Sequence, residues 1–244
     1  MTDEELGPRQ RAAETKRRRT REAIINGTLD LYDNQKQGDY TLEQIAEAAG
    51  VSAATIANHF PTKFDVLDAA YVRLISPLVN TIVEAQSAGV YKPNDGTDEL
   101  VRFVYTATRI SYEHRALTTA MVKAFFELPP AESAIGYDGE QSSIRREPVG
   151  FYLAAGLSRV LTVDPFGSAL RNTQRWGMSA PLARTLSDII LINLFYDPDE
   201  EAVMRITEKV CQMAVGLILL ENPGDSLKEK IEHEKKSNRY RSRG

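Results

Sequence analysis

Residues 41–67 read TLEQIAEAAGVSAATIANHFPTKFDVL, and the boundaries of short helices can be located within them. Thr41 with Gln44 three residues later forms a capping-box pattern, in which each residue satisfies a backbone N–H of the other at a helix start. Gly50 is the type of residue that ends a helix, because it accepts the left-handed backbone conformation at no steric cost. A first short helix is therefore predicted over about 42–49.

A second short helix follows after the one-glycine turn. Ser52 is a favourable N-cap, and the helix should run from Ala53 to about His59 before Pro61 ends it. Ile56 and Phe60 would face inward. Two short helices joined in this way predict a helix–turn–helix.

The rest of the chain also indicates helices. A first helix is expected over about 14–35, and a long helix after Thr62 in which Pro77 should introduce a bend or a break. Further helices are expected at about 97–114, 115–127 and 148–161, whereas 128–147 resembles a polar loop and 162–180 has no clear pattern. Hairpin signatures are almost missing, so the predicted fold class is all-α.

The charge distribution is uneven. The chain has 244 residues and a net charge of −4, yet between Arg9 and Arg21 there are seven basic residues and a single acid, Glu14. Such a cluster can form a phosphate-binding face on an acidic protein. The alternative at this point is an ordinary solvated helix start.

Composition argues against several other classes of protein. Cys211 is the one cysteine, the N-terminus is polar rather than a secretory signal, and no run reaches the ~20 apolar residues of a membrane span. Cys211 is expected to be an inert thiol in an apolar helix. Phosphate-binding, metalloprotease and serine-hydrolase motifs are absent. We therefore expect a cytoplasmic protein that is not an enzyme, has no metal, cofactor or membrane partner, and binds other molecules instead.

Residues 41–67 closely resemble the helix–turn–helix of the TetR family. The shared features are the Thr-opened helix, the Ala-x-x-Ala-Gly-Val-Ser turn, a Thr in the second helix, the helix-ending Phe and a Lys at the head of the next helix. The resemblance implies a three-helix DNA-binding domain followed by a larger helical domain for dimerisation and ligand binding. It divides the chain into an N-terminal arm (1–13), the DNA-binding domain (14–62), the larger domain (63–222) and a polar tail (223–244).

The resemblance also implies which side chains contact DNA. Hydroxyl and ammonium groups near the two helix starts would contact phosphates, exposed side chains of the second helix would read bases, and the basic first helix would reach the backbone or minor groove. The implied DNA-binding residues are Lys16, Arg17, Arg18, Thr41, Ser52, Ala53, Thr55, Asn58, His59 and Lys63.

Four positions depart from the family pattern or allow another role. Family members usually carry an aromatic residue, often Tyr, where this chain has Ala57, and often a second one at His59, so a contact of Tyr with a phosphate or a thymine methyl is missing at position 57. Asn58 could pair with an adenine, although Asn is also common near helix ends. Lys63 stands at a helix start, where a cation interacts unfavourably with the helix dipole. A phosphate bound there would contact both the lysine and the free backbone N–H groups, which favours a DNA contact. The alternative is a solvated lysine without a role.

The larger domain is expected to hold a small-molecule effector. Aromatic and apolar residues at helical spacing could line the pocket, although such residues are more often plain core. The candidates are Phe103, Ile110, Met121, Phe125, Phe126, Phe151, Tyr152 and Trp176. Four charged residues could orient an anionic ligand or be ordinary surface charges: Arg109, His114, Arg171 and Arg175.

Two helices near the C-terminus carry narrow apolar seams typical of antiparallel helix pairs. The seams could be buried inside one subunit, but because each helix also has a second apolar face, pairing with a second subunit is the favoured expectation. The predicted dimer interface is Leu182, Leu186, Ile189, Asn193, Val203, Ile206, Val210, Met213 and Leu217.

The combined prediction is a homodimeric regulator, a repressor released from a palindromic operator in double-stranded DNA by a small-molecule effector. The alternative is an all-helical carrier of a small apolar molecule with a head that no longer reads DNA. Ala57 in place of the usual aromatic residue favours this alternative, and DNA affinity discriminates between the two.

Overall fold

The computed structural model describes residues 7–35, 38–128, 149–173, 175–196 and 199–219. Within these ranges the chain forms ten α-helices, a short 3₁₀ turn at Trp176–Met178 and no strand, which confirms the all-α prediction. The helices are α1 Pro8–Gln35, α2 Leu42–Ala48, α3 Ala53–His59, α4 Lys63–Ser87, α5 Asp95–Glu113, α6 Arg115–Phe126, α7 Phe151–Val160, α8 Phe166–Asn172, α9 Ser179–Tyr196 and α10 Glu200–Ile218.

The predicted caps of the helix–turn–helix are present. Gln44 donates its backbone N–H to Thr41 Oγ1 at 3.3 Å, and its side-chain oxygen accepts from the Thr41 N–H at 2.9 Å. Thr55 donates its backbone N–H to Ser52 Oγ at 3.1 Å. Gly50 lies in the left-handed region with φ 65°, which lets the chain turn sharply between α2 and α3.

The first helix packs very closely on the second. Gly27 of α1 has no Cβ, and a Cβ placed there would lie 2.6 Å from Ala49 Cα. This backbone contact fixes how α2 sits on α1. Around it the small domain builds a core of fully buried side chains, among them Ile24, Ile45 and Ile56.

Helix α4 belongs to both parts of the molecule. It packs on α1 of the small domain and also on α5, α6 and α7. It runs without interruption through Pro77, so of the two predicted effects of this proline a break is wrong. By length and composition alone α4 could cross a membrane, but its buried stripe, including Val66, Ile75 and Ile82, faces the neighbouring helices as in a core helix.

The larger domain is a bundle of α4 to α10. Helix α9 packs on α6 and α7, and α10 packs on α5 and α9. Tyr71 of α4 is fully buried and its hydroxyl lies 2.8 Å from Ser111 Oγ of α5, which links two of the central helices. The bundle contacts the small domain through α4 and α6, which both pack on α1.

Some helix boundaries differ from the prediction. A start near residue 14 is wrong, because α1 begins at Pro8, where proline's missing N–H costs nothing and good helix formers follow. The unassigned stretch 162–180 contains α8 and the 3₁₀ turn. The polar loop predicted at 128–147, apart from its first residue, and the whole of the tail at 223–244 lie outside the described residues.

Candidate nucleic-acid interface

Helix α3 is anchored in the small domain by two large apolar side chains, and most of its other side chains are exposed to solvent. Ile56 is fully buried and Phe60, directly after the helix, is nearly so, whereas Ala53, Ala57 and Asn58 are exposed. Seven residues make a helix of about 10 Å, which fits a major groove of about 12 Å. Among the described residues, the outer face of α3 therefore stays open to solvent.

The hydroxyl groups expected to contact phosphates lie at the starts of α2 and α3. Thr41 and Ser52 are exposed, and Thr55 is partly exposed. Ser52 Oγ lies 2.8 Å from Thr55 Oγ1, so the hydroxyls are held together beside the first turn of α3. Each hydroxyl also helps to cap or orient a helix start, so its position is fixed by the fold.

Lys63, at the first position of α4, is not a free cation. Its ammonium group forms an ion pair with Asp39, in the loop before α2. Lys123 of α6 donates to the other oxygen of Asp39 at 2.7 Å. Hydrogen bonds from Lys123 and then Lys63 lower the pKa of Asp39 below its usual 3.8. The sequence held no pattern for this pairing, because the three residues are far apart along the chain.

The basic helix α1 lies beside the C-terminal end of α3. Lys16, Arg17 and Arg18, predicted to contact DNA, are all exposed. Arg21 donates from Nη1 to the backbone oxygen of His59 at 3.3 Å, and its guanidinium carbon lies 4.1 Å from the centre of the Phe60 ring.

His59 is partly buried at the end of α3. Burial, and then the like charges of Arg17 and Arg21, lower the pKa of His59 below its usual 6.5. Its imidazole is therefore neutral at neutral pH. A neutral imidazole offers one donor and one acceptor to a base edge.

The predicted effector residues do not all point into one interior space. Phe103 and Met121 are fully buried in the core, whereas Phe126 is 66% exposed and Phe151 is 47% exposed. Phe126 ends α6 and Phe151 begins α7, and both lie at the surface rather than in the interior of the bundle. Ile110, Phe125 and Tyr152 are partly buried, and the side chain of Trp176 lies outside the described residues.

The four charged residues considered for an anionic ligand all have partners within the chain. Arg109 pairs with Glu113 at 2.8 Å, His114 Nδ1 lies 2.8 Å from Asp33, Arg171 pairs with Asp164 at 3.0 Å, and Arg175 contacts the backbone oxygen of Leu217 at 3.5 Å. These contacts favour the structural interpretation of the four charges.

Two clefts on the described residues differ from the expected pocket. One of about 420 Å³ lies at the ends of α4 and α7, and a smaller one of about 100 Å³ lies between α1 and the α5–α6 junction. No predicted apolar effector residue lines either cleft. Two of the charged candidates do: Arg171 lines the larger cleft and His114 the smaller.

The predicted dimer seam is partly wrong. Leu186, Val203, Ile206 and Val210 are buried inside the single chain, because α9 turns this stripe toward α6 and α7, and α10 turns its own toward α5 and α9. These four side chains are unavailable to a second subunit. The seam residues that keep some exposure are Leu182, Ile189, Asn193, Met213 and Leu217.

A partly exposed apolar stripe runs along α9, and only one of its residues, Ile189, was in the predicted seam. Ile189, Ile192 and Tyr196 follow one another at spacings of three and four, and Tyr196 is 78% exposed. On α10, Met204 is 62% exposed. Apolar periodicity alone does not distinguish the face that a helix buries in its own chain from the face it leaves open.

Comparisons with known proteins agree with this architecture. Residues 34–70 match the family model described as bacterial regulatory proteins, tetR family. Over 75 residues the chain is 31% identical to the HTH-type transcriptional regulator BetI 1 of Chromohalobacter salexigens. Over 70 residues it is 40% identical to the uncharacterized HTH-type transcriptional regulator TtgW of Pseudomonas putida. These alignments cover 31% and 29% of this chain, and 37% and 51% of the relatives.

Two solved structures share the fold over most of the chain. A crystal structure of Thermus thermophilus FadR, a TetR family transcriptional repressor in complex with lauroyl-CoA, has a TM-score of 0.58 at 18% identity, covering 84% of this chain and 98% of that one. A TetR transcriptional regulator from Rhodococcus sp. RHA1 has a TM-score of 0.51 at 15% identity, covering 81% and 97%. At these identities the likeness concerns the fold alone.

Proposed function

We propose that this chain is a member of the tetR family of bacterial regulatory proteins and a cytoplasmic, homodimeric repressor that binds a palindromic operator in double-stranded DNA. The observation that carries the proposal is the outward face of α3, which is exposed and flanked by cations of α1. Exposed side chains on a capped short helix next to a basic helix meet the two needs of a DNA reader, base contact and phosphate attraction.

Two copies would be needed for tight binding. One short helix buries too little surface, whereas a two-fold dimer reads two half-sites about 34–36 Å apart. The partly exposed stripe of Ile189, Ile192 and Tyr196 on α9 is the surface we propose for pairing, together with those seam residues that keep some exposure. It would place like surfaces against each other around a two-fold axis.

An effector would act by preferring one arrangement of the larger domain over another. It shifts operator affinity only by its differential affinity for the two arrangements. The Thermus thermophilus FadR structure holds lauroyl-CoA, and we propose a small molecule with an apolar part as the effector class here. The side chains of Phe103 and Met121, two of the predicted effector residues, are fully buried in the core. An effector that contacts them would have to open the core around them.

The test is a selection from a randomised duplex DNA library with the full chain, at two salt concentrations. A Thr55→Ala/Lys63→Ala double variant serves as the comparison. We expect the wild type to enrich a pseudo-palindromic site that the variant does not enrich, with binding weakened by salt. Equal, diffuse retention of DNA by both proteins would reject the regulator and favour the carrier.

The effector is tested on the selected duplex. Lauroyl-CoA is the first probe, and free coenzyme A is its control for the nucleotide part. Release of the protein from DNA by lauroyl-CoA alone would support an effector with an apolar part. If both compounds leave DNA binding unchanged at saturating concentrations, this effector class is rejected while the DNA-binding proposal stands.

A further inference from the structure

We propose that Arg21 is a positioning residue of the recognition helix α3. From α1 it holds the C-terminal end of α3 through the backbone of His59 and the ring of Phe60, and so sets the angle at which the outer face of α3 meets DNA. The inference rests on the proposed DNA-binding function and deepens it, because it names a residue that controls specificity without reading a base.

The geometry shows one guanidinium group making two contacts across the domain. Nη1 donates to the His59 backbone oxygen at 3.3 Å, and the guanidinium carbon is 4.1 Å from the centre of the Phe60 ring. The contacts join residues 38 positions apart along the chain. Phe60 itself is buried, so Arg21 is tied to a fixed point of the small domain.

Helix α3 has reason to need such a contact. At seven residues it is too short to be stable by itself, and its last carbonyl groups have no partner inside the helix. Ser52 caps its start. A cation at the opposite end satisfies a free carbonyl and interacts favourably with the helix dipole. Arg21 therefore does for the end of α3 what Ser52 does for its start.

An alternative role, a plain phosphate contact, would need neither of these contacts. A guanidinium has five N–H donors, and the His59 oxygen occupies one of them. The guanidinium carbon also lies over the Phe60 ring, and an ammonium group does not reproduce the planar, forked donor geometry that makes both contacts. Burial, then the charge of Arg17 and then that of Arg21 lower the pKa of His59, the last residue of α3.

The test uses the full chain with Arg21→Gln and Arg21→Lys. Arg115→Gln is the matched control, since Arg115 stands 5.4 Å from the ring of Tyr112 in the larger domain and its loss removes the same charge. Affinities are measured on the duplex selected by the wild type and on a scrambled duplex, each over a range of salt. Hydrogen exchange of the α3 amides is measured on the free proteins.

We expect Arg21→Gln to weaken binding to the selected duplex about tenfold, the factor that corresponds to ~1.4 kcal/mol, and to change binding to the scrambled duplex much less. We expect Arg21→Lys to keep the salt slope but recover little of the specificity. Exchange of the α3 amides should quicken in both variants and stay unchanged in Arg115→Gln.

Two results would overturn the inference. Equal weakening on both duplexes, with a salt slope smaller by about 0.9 and full recovery in Arg21→Lys, would make Arg21 a phosphate contact. Unchanged exchange of the α3 amides in Arg21→Gln would show that the residue does not hold the helix. If the wild type enriches no DNA site, the proposed function fails, and the exchange measurement still decides the structural part by itself.

Discussion

Lys123 of α6 donates to Asp39 at 2.7 Å, and this contact joins the larger domain to the loop that enters the helix–turn–helix. The same carboxylate pairs with Lys63, the first residue of α4. A movement of α6 would therefore alter the partner of Lys63, which we propose to contact a phosphate. A second polar link between the two parts lies nearby along α1, where Asp33 meets His114 at 2.8 Å.

Asp39→Asn should strengthen non-specific DNA binding. The change removes a negative charge next to Lys63 and frees its ammonium group for a phosphate, so the slope of log affinity against log salt should steepen by about 0.9. Fluorescence anisotropy with a scrambled duplex over a salt series measures this. Asp98→Asn, an exposed carboxylate on α5, is the control for net charge and should leave the slope as it is. An unchanged slope in Asp39→Asn would contradict the role of this ion pair.

His59 should titrate below 6.5 in the free protein, because burial and the charges of Arg17 and Arg21 disfavour its charged form. A lowered pKa in the folded state means that this group costs stability as the pH falls from about 6.5 through the folded value. NMR of the histidine ring protons measures the midpoint, and His59→Gln assigns the signal among the three histidines.

The same titration in Arg21→Gln should give a midpoint closer to 6.5. It should still lie below 6.5, since burial is the larger cause and remains. A midpoint above 6.5 in the wild type would contradict the described surroundings of the ring.

Gly27→Ala should destabilise the small domain, although alanine is favoured over glycine in helices by about 1 kcal/mol. The new Cβ would lie 2.6 Å from Ala49 Cα, so α1 and α2 must move apart, and overpacking of this kind costs about 1–3 kcal/mol. Chemical unfolding measures the difference in free energy of unfolding between the wild type and Gly27→Ala. Asn26→Ala, at an exposed neighbouring position of the same helix, should be neutral or slightly stabilising. A stabilised Gly27→Ala would mean that the helices are not in contact there.

Ile192→Glu should produce a folded monomer, because the change places a charge in the stripe of Ile189, Ile192 and Tyr196 that we propose as the dimer surface. Leu186→Ala, one turn and a half earlier on the same helix, should instead lower the free energy of unfolding by about 2–5 kcal/mol, because Leu186 is fully buried in its own chain. Equilibrium sedimentation and thermal unfolding separate the two effects. A dimeric Ile192→Glu protein would exclude this stripe.

The local parts of the fold were predictable because their causes are local. The capping box of Thr41 and Gln44, the N-cap Ser52 and the turn at Gly50 each act within four residues, and all are present in the structure. The start of α1 was misjudged because polar, basic residues suggested an arm, although their helix propensity is high.

The surfaces were harder to predict, since burial depends on neighbours that are remote in sequence. Leu186 and Ile189 share one apolar seam, yet only the first is fully buried, because α6 and α7 cover that side of α9. The aromatic residues at helical spacing divided in the same way, with Phe103 in the core and Phe126 at the surface.

From its residues alone the chain could be assigned helices throughout, a capped helix–turn–helix and a basic first helix. Apolar periodicity, helix caps and charge clusters depend only on residues that are close together in the sequence. The tertiary structure was needed to show that Asp39 pairs with Lys63 and Lys123. It was also needed for the contacts of Arg21 with His59 and Phe60, and for which face of each apolar helix is buried. These contacts depend on where ten helices place side chains that lie tens of residues apart, and no local pattern carries that information.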